Sequence, residues 1–323
     1  MAVSLPMRWS DPRVVLVATD LGDLDRLMPH VLAWTADSSS HLILLHVIAT
    51  DSAVRLDGAG APVYDAREAI RAAQLAMQPW CEVASARRLD CVAMVREGEA
   101  AAQILSAARR FDADQIVVET RNPAKGRRLE LGSVAEQVLR SAPIPVLTVG
   151  AEAHLQEAVA GSPPVVLHAT TLRETSRPGA ALAARLAVRM GGRLIVLHVA
   201  ADHGRGSHGG HRSHRVGSAA EAAAAMEQLR TELAALAAEL PIEPRILHGN
   251  RLIEILATAA ESQASLIVLG GGGLRAPAAL TRDRATLQVL AHARCPVMTL
   301  PHPAQIPDVA PAPAAVAGEG RAG

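Results

Sequence analysis

Short apolar runs alternate along this chain with longer stretches of helical period. The runs are rich in Val, Ile and Leu on both faces, which is typical of strands in a parallel sheet that is covered on each side. Strands are predicted at residues 13–19, 41–48, 90–96, 114–119 and 144–149, and again at 164–170, 193–199, 242–248, 265–270 and 296–300. Stretches of Ala, Leu and Arg between them predict helices, so the pattern indicates an α/β fold.

The same order of elements occurs twice because the chain repeats itself at a shift of 151 residues. VVLVATDL at 14–21 lies over VVLHATTL at 165–172, and APIPVLT at 142–148 lies over ARCPVMT at 293–299. The constant offset indicates an internal duplication. We therefore predict two tandem five-stranded, parallel, doubly wound domains of Rossmann-like type. Their ligand crevices are expected at the carboxyl ends of the first and fourth strands of each copy.

The repeat delimits the two copies, and composition marks the linker and the tail. We predict an N-terminal extension at 1–11, a first domain at 12–150, a linker at 151–162, a second domain at 163–301 and a tail at 302–323. The tail consists largely of Pro, Ala and Gly without apolar period, so it is expected to be disordered.

Charge and aromatic content argue against nucleic acid and membranes as partners. The chain has 32 basic and 32 acidic residues and only three Trp, one Tyr and one Phe. A neutral chain attracts no phosphate backbone, and few aromatic rings are available to stack on bases. No apolar run approaches the ~18 residues of a membrane-spanning helix. We expect a soluble, cytoplasmic protein.

Catalytic motifs are also missing from the sequence. Cys81, Cys91 and Cys295 have no metal-ligand spacing, and we interpret them as reduced thiols that fill space. No Ser or Cys stands in a nucleophile motif with a base at a recognisable spacing. We predict that the protein is not an enzyme.

The stretch LGSVAEQVLRSAPIPVLTV, at residues 131–149, is the most specific in the chain. Together with LHV closing the second strand of each copy and the LGGGGL turn at 269–274, it resembles the universal stress protein family. The resemblance covers about 12–150 and 163–301. It implies a tandem universal stress protein in which the last strands, IPVLTV and CPVMTL, pair across the two copies as in a family dimer.

The resemblance also implies a nucleotide site. ATP-binding members of the family carry G-x2-G-x9-G-[S/T], with an aspartate that ends strand one and a valine that ends strand two. In the first copy Asp20, Val47, Gly132 and Ser133 match this pattern. The two earlier glycine positions are occupied by Glu119 and Asn122.

The second copy keeps the complementary part of the motif. Gly270 and Gly273 stand at the earlier glycine positions, and Val199 ends the second strand. The replaced positions are Thr171, Asp283 and Arg284. Neither copy therefore carries the whole set.

The replacements are expected to weaken phosphate binding in both halves. Glycine lets the backbone approach phosphate oxygens, and the first amides of a helix donate to them. A carboxylate at Glu119 would repel a phosphate ~4 Å away by about 1–4 kcal/mol. Asp283 is expected to cap its own helix and to occupy the amides. The nearby cations are interpreted as a solvated face: Lys125, Arg127, Arg128, Arg275, Arg282 and Arg284.

Several of these side chains also have a purely structural interpretation. Asp20 is suited to a turn or cap after its strand, and Ser133 with Glu136 matches a capping box. His46 and His198, in the two LHV segments, are expected to be hydrogen-bonded structural histidines.

A histidine-rich segment, HGRGSHGGHRSHR at 203–215, occurs in the second copy but has no histidine-rich counterpart in the first. His203, His208, His211 and His214 suggest a divalent metal, whereas the Gly, Ser and Arg between them favour a mobile insertion. No metal ligand is therefore predicted.

The sequence leads to a stress-response regulator or binding module with degenerate ATP-binding motifs in both halves. Its expected partners are a nucleotide and an unidentified protein, with pairing of the copies inside the chain; a homodimer of whole chains is left open. Two alternatives also stay open: a functional ATP-binding protein with slow ATPase or adenylylating activity, and a metal-responsive module that uses segment 203–215.

Overall fold

The protein is described by a computed structural model at residues 5–36, 38–49, 55–56, 62–63, 66–120, 132–155, 162–200, 219–270 and 280–301. The predicted tail, the His-rich segment and most of the loops after the fourth strands lie outside these residues.

The first copy alternates strands and helices as the apolar pattern predicts. Its elements, after a short 3-10 turn at Met7–Trp9, are β1 (Val14–Thr19), α1 (Leu24–Trp34), β2 (His41–Ile48), β3 (Arg55–Leu56), β4 (Pro62–Val63), α2 (Ala66–Ala86), β5 (Asp90–Glu97), α3 (Ala100–Arg110), β6 (Gln115–Glu119), α4 (Ser133–Ser141) and β7 (Val146–Val149). The two-residue strands β3 and β4 form an antiparallel hairpin that the sequence pattern did not predict.

The second copy repeats this order without the hairpin among its described residues. Its elements are β8 (Val165–Thr170), a 3-10 turn at Glu174–Ser176, α5 (Arg177–Arg189), β9 (Arg193–Ala200), α6 (Ala219–Leu236), β10 (Ile242–His248), α7 (Arg251–Glu261), β11 (Leu266–Leu269), α8 (Leu280–His292) and β12 (Val297–Thr299). The ten predicted strands are all present, within two residues of the predicted limits at each end.

All ten long strands belong to one sheet, in the order β10-β9-β8-β11-β12-β7-β6-β1-β2-β5. Every neighbouring pair is parallel except β7 and β12 at the centre. There Leu147 faces Met298 in an antiparallel register. The predicted fold class is confirmed, and so is the expected pairing of the last strands across the two copies.

The two copies share their cores as well as their sheet. One apolar cluster covers each face of the sheet, and each cluster contains residues from both copies. On one face Leu44 and Val196 belong to the same cluster as Leu147 and Met298. Because parallel strands are covered on both faces, their side chains are buried continuously rather than alternately. The edge strands β5 and β10 are less buried than β1, β2, β8 and β9.

The turn after each edge strand shows how closely the duplication preserves local geometry. Gly98 and Gly249 both adopt a positive φ, of 129° and 136°, a region that side chains other than glycine rarely enter. The next residue caps the following helix: Glu99 accepts hydrogen bonds from the first amides of α3, and Asn250 does so for α7.

Candidate functional site

The candidate site lies at the carboxyl ends of β1, β2 and β6, where the sheet order reverses between β1 and β6. β1 pairs with β2 on one side and with β6 on the other, and α1 and α4 start from the same edge. In doubly wound sheets this switch point forms the ligand crevice. The structure therefore brings Asp20, Val47, Gly132 and Ser133 to one edge of the first copy.

The loop after β1 is held in a tight turn by its own side chains. Thr19 Oγ1 accepts a hydrogen bond from the Leu21 amide at 2.9 Å and donates one to the Asp23 carboxylate. Asp20 Oδ1 accepts from the Gly22 amide at 3.0 Å. Leu21 adopts φ of 73°, a left-handed conformation that is uncommon for leucine. Asp20 is thus the predicted turn residue, and its side chain stays exposed.

The second copy forms the same turn without a carboxylate. Thr170 Oγ1 accepts from the Leu172 amide at 3.1 Å, and Leu172 adopts φ of 59°. Thr171, at the position of Asp20, is exposed. Because threonine is accommodated in the equivalent turn, the backbone conformation does not require the carboxylate of Asp20.

The two LHV histidines tie the second strand of each copy to the end of the first. His46 Nδ1 donates to the carbonyl oxygen of Thr19 at 2.9 Å, and His198 Nδ1 donates to that of Thr170 at 3.0 Å. Burial lowers the pKa of His198, and the hydrogen bond to Thr170 partly opposes this effect. The structural interpretation of both histidines is confirmed. The neighbouring Val47 is half-buried at the site edge.

Glu119, at the end of β6, does not present a free carboxylate to the crevice. Its side chain is 7% exposed and forms an ion pair with the guanidinium of Arg26 in α1. The prediction that Glu119 would directly oppose a phosphate is therefore corrected, because the opposite charge beside it cancels much of its field. The sequence pattern gives no signal for Arg26, because its counterpart Arg177 pairs with Glu232 and the counterpart of Glu119 is Gly270.

A second carboxylate at this edge, that of Asp23, has its pKa changed by burial. Asp23 is 6% exposed, and its burial raises the pKa of its carboxyl group, while the hydrogen bond from Thr19 lowers it. Asp23 precedes α1 but makes no side-chain cap hydrogen bond with that helix. Asp20 is therefore the exposed carboxylate of the β1 loop.

The start of α4 differs from the predicted capping box. Gly132 is the N-cap, Ser133 is the first helical residue, and among the described residues no side-chain hydrogen bond caps the helix. Glu136 instead binds Arg140, at 2.7 and 3.1 Å. The capping-box interpretation of Ser133 and Glu136 is wrong, since a helical Ser133 has left the cap position. Within the part of the chain that the structure describes, the first amides of α4 therefore have no side-chain cap at the edge that carries Asp20 and Val47.

In the second copy the equivalent helix starts about one turn earlier. α8 begins at Leu280, so Asp283 and Arg284 lie inside the helix instead of at its start. Amides from the fourth helical residue onward face carbonyls of the preceding turn. The predicted N-cap role of Asp283 is wrong for this reason. The amides at the position of the Gly-Ser pair are also no longer at a helix terminus.

Close packing beneath Gly270 further distinguishes the second copy. His168 of β8 is fully buried, and its Nδ1 donates to the carbonyl oxygen of Val268 at 3.0 Å. A Cβ atom on Gly179 of α5 would lie 2.9 Å from His168 Cε1 and 3.3 Å from Gly270 Cα. The equivalent residues in the first copy are Val17 in the strand and Met28 in the helix. The first copy thus has the larger side chain in the helix, whereas the second copy has it in the strand.

Several predicted positions cannot be placed against this geometry. Asn122, Gly273, the loop cations Lys125, Arg127, Arg128 and Arg275, and the four histidines of segment 203–215 lie outside the described residues. Within the described part of the chain, no cluster of three or more His, Cys, Asp or Glu side chains is arranged to hold a metal ion.

A separate cavity of about 200 Å³ lies between the two copies, near the amino ends of β11 and β12. Its lining includes Trp34 and Arg189, whose guanidinium carbon lies 4.1 Å from the centre of the Trp34 ring. Its lining contains none of Asp20, Val47, Gly132 and Ser133, so the cavity is distinct from the candidate site. None of the described helices combines the length and apolar content needed to cross a bilayer.

Comparison with known proteins gives two matches to one sequence family. The Universal stress protein family matches residues 12–150 and again residues 165–301. A universal stress protein from Archaeoglobus fulgidus DSM 4304 is similar in structure, with a TM-score of 0.68 at 18% identity, over 91% of this chain and 97% of that chain.

A functionally unknown protein from Pseudomonas aeruginosa PAO1 has a TM-score of 0.62 at 17% identity, over 94% of this chain and 98% of that chain. At these identities the likeness concerns the fold. No curated protein matches the sequence.

Proposed function

The chain belongs to the universal stress protein family, and on that premise we propose that it is a cytoplasmic stress-response regulator whose first copy binds an adenine nucleotide such as ATP. The second copy completes the shared sheet and does not bind the nucleotide. The regulator acts through a protein partner and not through catalysis of its own.

The uncapped start of α4 is the observation that carries this proposal. Gly132 provides no side chain to occupy the first amides, and Ser133 is exposed beside them. Helix N-termini of this kind favour phosphate oxygens through their donors and dipole. The same sheet edge presents Asp20, whose carboxylate the turn does not require, and Val47, at the positions that the family pattern assigns to the adenosine end.

Charge at the other end of the crevice is balanced. Because Arg26 pairs with Glu119, a phosphate approaching β6 meets a nearly neutral pair instead of a free carboxylate. The pair supplies no net attraction either. We infer that affinity is lower than a site with glycine at position 119 would provide.

The two copies are not equivalent in this proposal. In the second copy Thr171 replaces the carboxylate, and α8 begins before the positions of the Gly-Ser pair. Both differences remove a ligand contact of the family pattern. A stoichiometry of one nucleotide per chain follows.

Calorimetric titration of ATP into the full chain tests the site. Ser133→Glu places a carboxylate among the first amides of α4 and should weaken binding by about tenfold, since roughly 1.4 kcal/mol of repulsion is expected for charges a few ångströms apart. Gln137→Glu makes the same change of charge one turn further along α4, at another exposed residue. That control should bind ATP within about twofold of the wild type.

Three results would contradict the proposal. These are no binding to the wild type, two equivalents of ATP per chain, or equal effects of Ser133→Glu and Gln137→Glu. Phosphate release should be followed in the same samples. Steady ATP hydrolysis that Ser133→Glu abolishes would replace the regulator by an enzyme.

A further inference from the structure

Two of the three cysteines meet at one edge of the sheet. Cys81 lies near the end of α2 and Cys91 is the second residue of the edge strand β5. Their Sγ atoms are 2.7 Å apart, and both thiols are free. A disulfide bond is about 2.05 Å long, so the two sulfurs need to approach by less than about 1 Å to become bonded.

A tight helix-to-strand turn holds the two sulfurs in this position. The amides of Arg87 and Leu89 donate to the Ala84 carbonyl at 2.9 and 3.1 Å, and Arg88 adopts φ of 63°. The chain therefore reverses within a few residues, and β5 returns along α2. Contacts between α2 and β5 are also extensive in the apolar cluster that contains Cys81.

The fold itself does not require cysteines at this junction. In the second copy Leu233, near the end of α6, is buried in the same apolar cluster, and Ile242, at the start of β10, packs against that cluster. The second copy therefore builds this helix-to-strand junction with aliphatic side chains and without cysteine. The remaining cysteine, Cys295, is 3% exposed and has no cysteine beside it among the described residues.

We propose that Cys81 and Cys91 are a site of reversible oxidation, in which hydrogen peroxide converts the dithiol into an intramolecular disulfide. The Cys81 thiolate attacks one peroxide oxygen and releases hydroxide, forming a sulfenic acid at Cys81. The Cys91 sulfur then attacks the Cys81 sulfur and expels the sulfenic oxygen as water. Two thiols and one peroxide thus become one disulfide and two waters, and a dithiol reductant reverses the change.

The surroundings of the two sulfurs favour this assignment of roles. The hydrogen bond from Cys91 lowers the pKa of Cys81, although burial and the charge of Glu82 oppose it. The same interaction raises the pKa of Cys91, so its proton stays until the first step is complete. Cys91 is partly exposed on an edge strand whose far side carries no other strand among the described residues. Hydrogen peroxide is a small molecule, so we expect it to approach the cysteine pair from the open side of β5.

The bond would join α2 to the strand that pairs with β2. Val47, at the end of β2, faces Arg96 of β5 in the parallel register. Oxidation therefore restrains the edge of the first copy beside the proposed nucleotide site. The proposal itself does not depend on nucleotide binding.

Peroxide treatment of the folded full chain, followed by denaturation and alkylation, tests the site by mass spectrometry. The oxidised protein should lose about 2 Da, the mass of two hydrogens, and its alkylated thiols should fall from three to one. Trypsin cuts after Arg87 and Arg88, which separates the two cysteines into peptides 72–87 and 89–96. These peptides should be found joined, and a dithiol should separate them again.

Variants make the assignment specific. Cys295→Ala should behave as the wild type, because burial raises the pKa of Cys295 to about 12 and leaves little thiolate to react. Cys91→Ala should stop at oxygen adducts of Cys81 without losing 2 Da. The double change Cys81→Leu with Cys91→Ile, which replaces both thiols by aliphatic side chains, should fold and show neither reaction.

The pair should also react at least about tenfold faster than Cys295 in the same chain. Three results would overturn the proposal: retention of all three alkylatable thiols, links that involve Cys295, or disulfides formed only between chains.

Discussion

The buried histidine of the second copy should make stability depend on pH in a way that one substitution removes. His168 is fully buried, its Nδ1 donates to the Val268 carbonyl, and its Nε2 has no hydrogen-bond partner among the described residues. A second proton would therefore place a charge on a buried nitrogen without an acceptor. Burial accordingly lowers the pKa of His168 from 6.5 to about 4, with the Val268 hydrogen bond opposing.

The sign and size of the effect follow from proton linkage. The folded pKa lies below the unfolded value, so the unfolded chain binds the proton first as the pH falls. Stability is then complete above about pH 6.5 and is lost progressively toward pH 4. At about 1.4 kcal/mol per tenfold change, the loss is about 2 kcal/mol between pH 7.5 and 5, and about 3 kcal/mol by pH 4.

Urea denaturation of the wild type and of His168→Val, from pH 7.5 to 4.5, measures this loss. Valine is the residue at the matching position of the first copy, Val17. The variant has a pH-independent cost from its smaller side chain, so only the slopes are compared. His154→Ala, at an exposed histidine, controls for the removal of a histidine as such. Parallel slopes for the wild type and His168→Val would refute the reasoning.

Three further changes test the packing and the site. Gly179→Ala should lower the free energy of unfolding by about 1–3 kcal/mol, because its Cβ would lie 2.9 Å from His168 Cε1. Combining it with His168→Val should recover most of that loss. An equal loss in the wild-type and His168→Val backgrounds would contradict the contact. Met298→Asp buries a carboxylate in the central strand pair, where Met298 is 0% exposed, and should cost more than about 3 kcal/mol in urea denaturation; a cost below about 1 kcal/mol would show that the two copies do not share this core. Glu119→Gln leaves Arg26 with an uncompensated charge and should tighten ATP binding about fivefold in calorimetry, the equivalent of about 1 kcal/mol; weaker binding would mean that the ion pair orders the site.

The strands and their duplication could be predicted because both depend on the local pattern of apolar residues along the chain. A parallel strand covered on both faces must be apolar throughout, so runs such as VVLVAT and RLIVLHVA identify themselves without knowledge of their neighbours. A second copy at a constant shift then repeats the signal. The carboxyl-edge position of Asp20, Val47, Gly132 and Ser133 follows from strand order alone.

The first residues of the helices were harder to predict from the sequence. The pattern placed Ser133 and Asp283 as caps, whereas the helices begin at Ser133 and at Leu280. Cap preferences differ among residues by about 1 kcal/mol, which the packing of the preceding loop readily overrides. The proposed asymmetry between the two copies in nucleotide binding depends on this difference.

Only the tertiary structure decided which side chains meet. Arg26 contacts Glu119, Cys81 contacts Cys91, and His168 packs against Gly179, yet each pair joins a helix to a strand at a separation that no helical or strand period relates. Periodicity determines which face of the sheet or helix a residue occupies. It does not determine which residue of the neighbouring element it contacts, because that depends on how the helices pack on the sheet. The sequence by itself thus determined two α/β copies with incomplete motifs. Through-space packing decided that Glu119 is neutralised and that two cysteines form a pair.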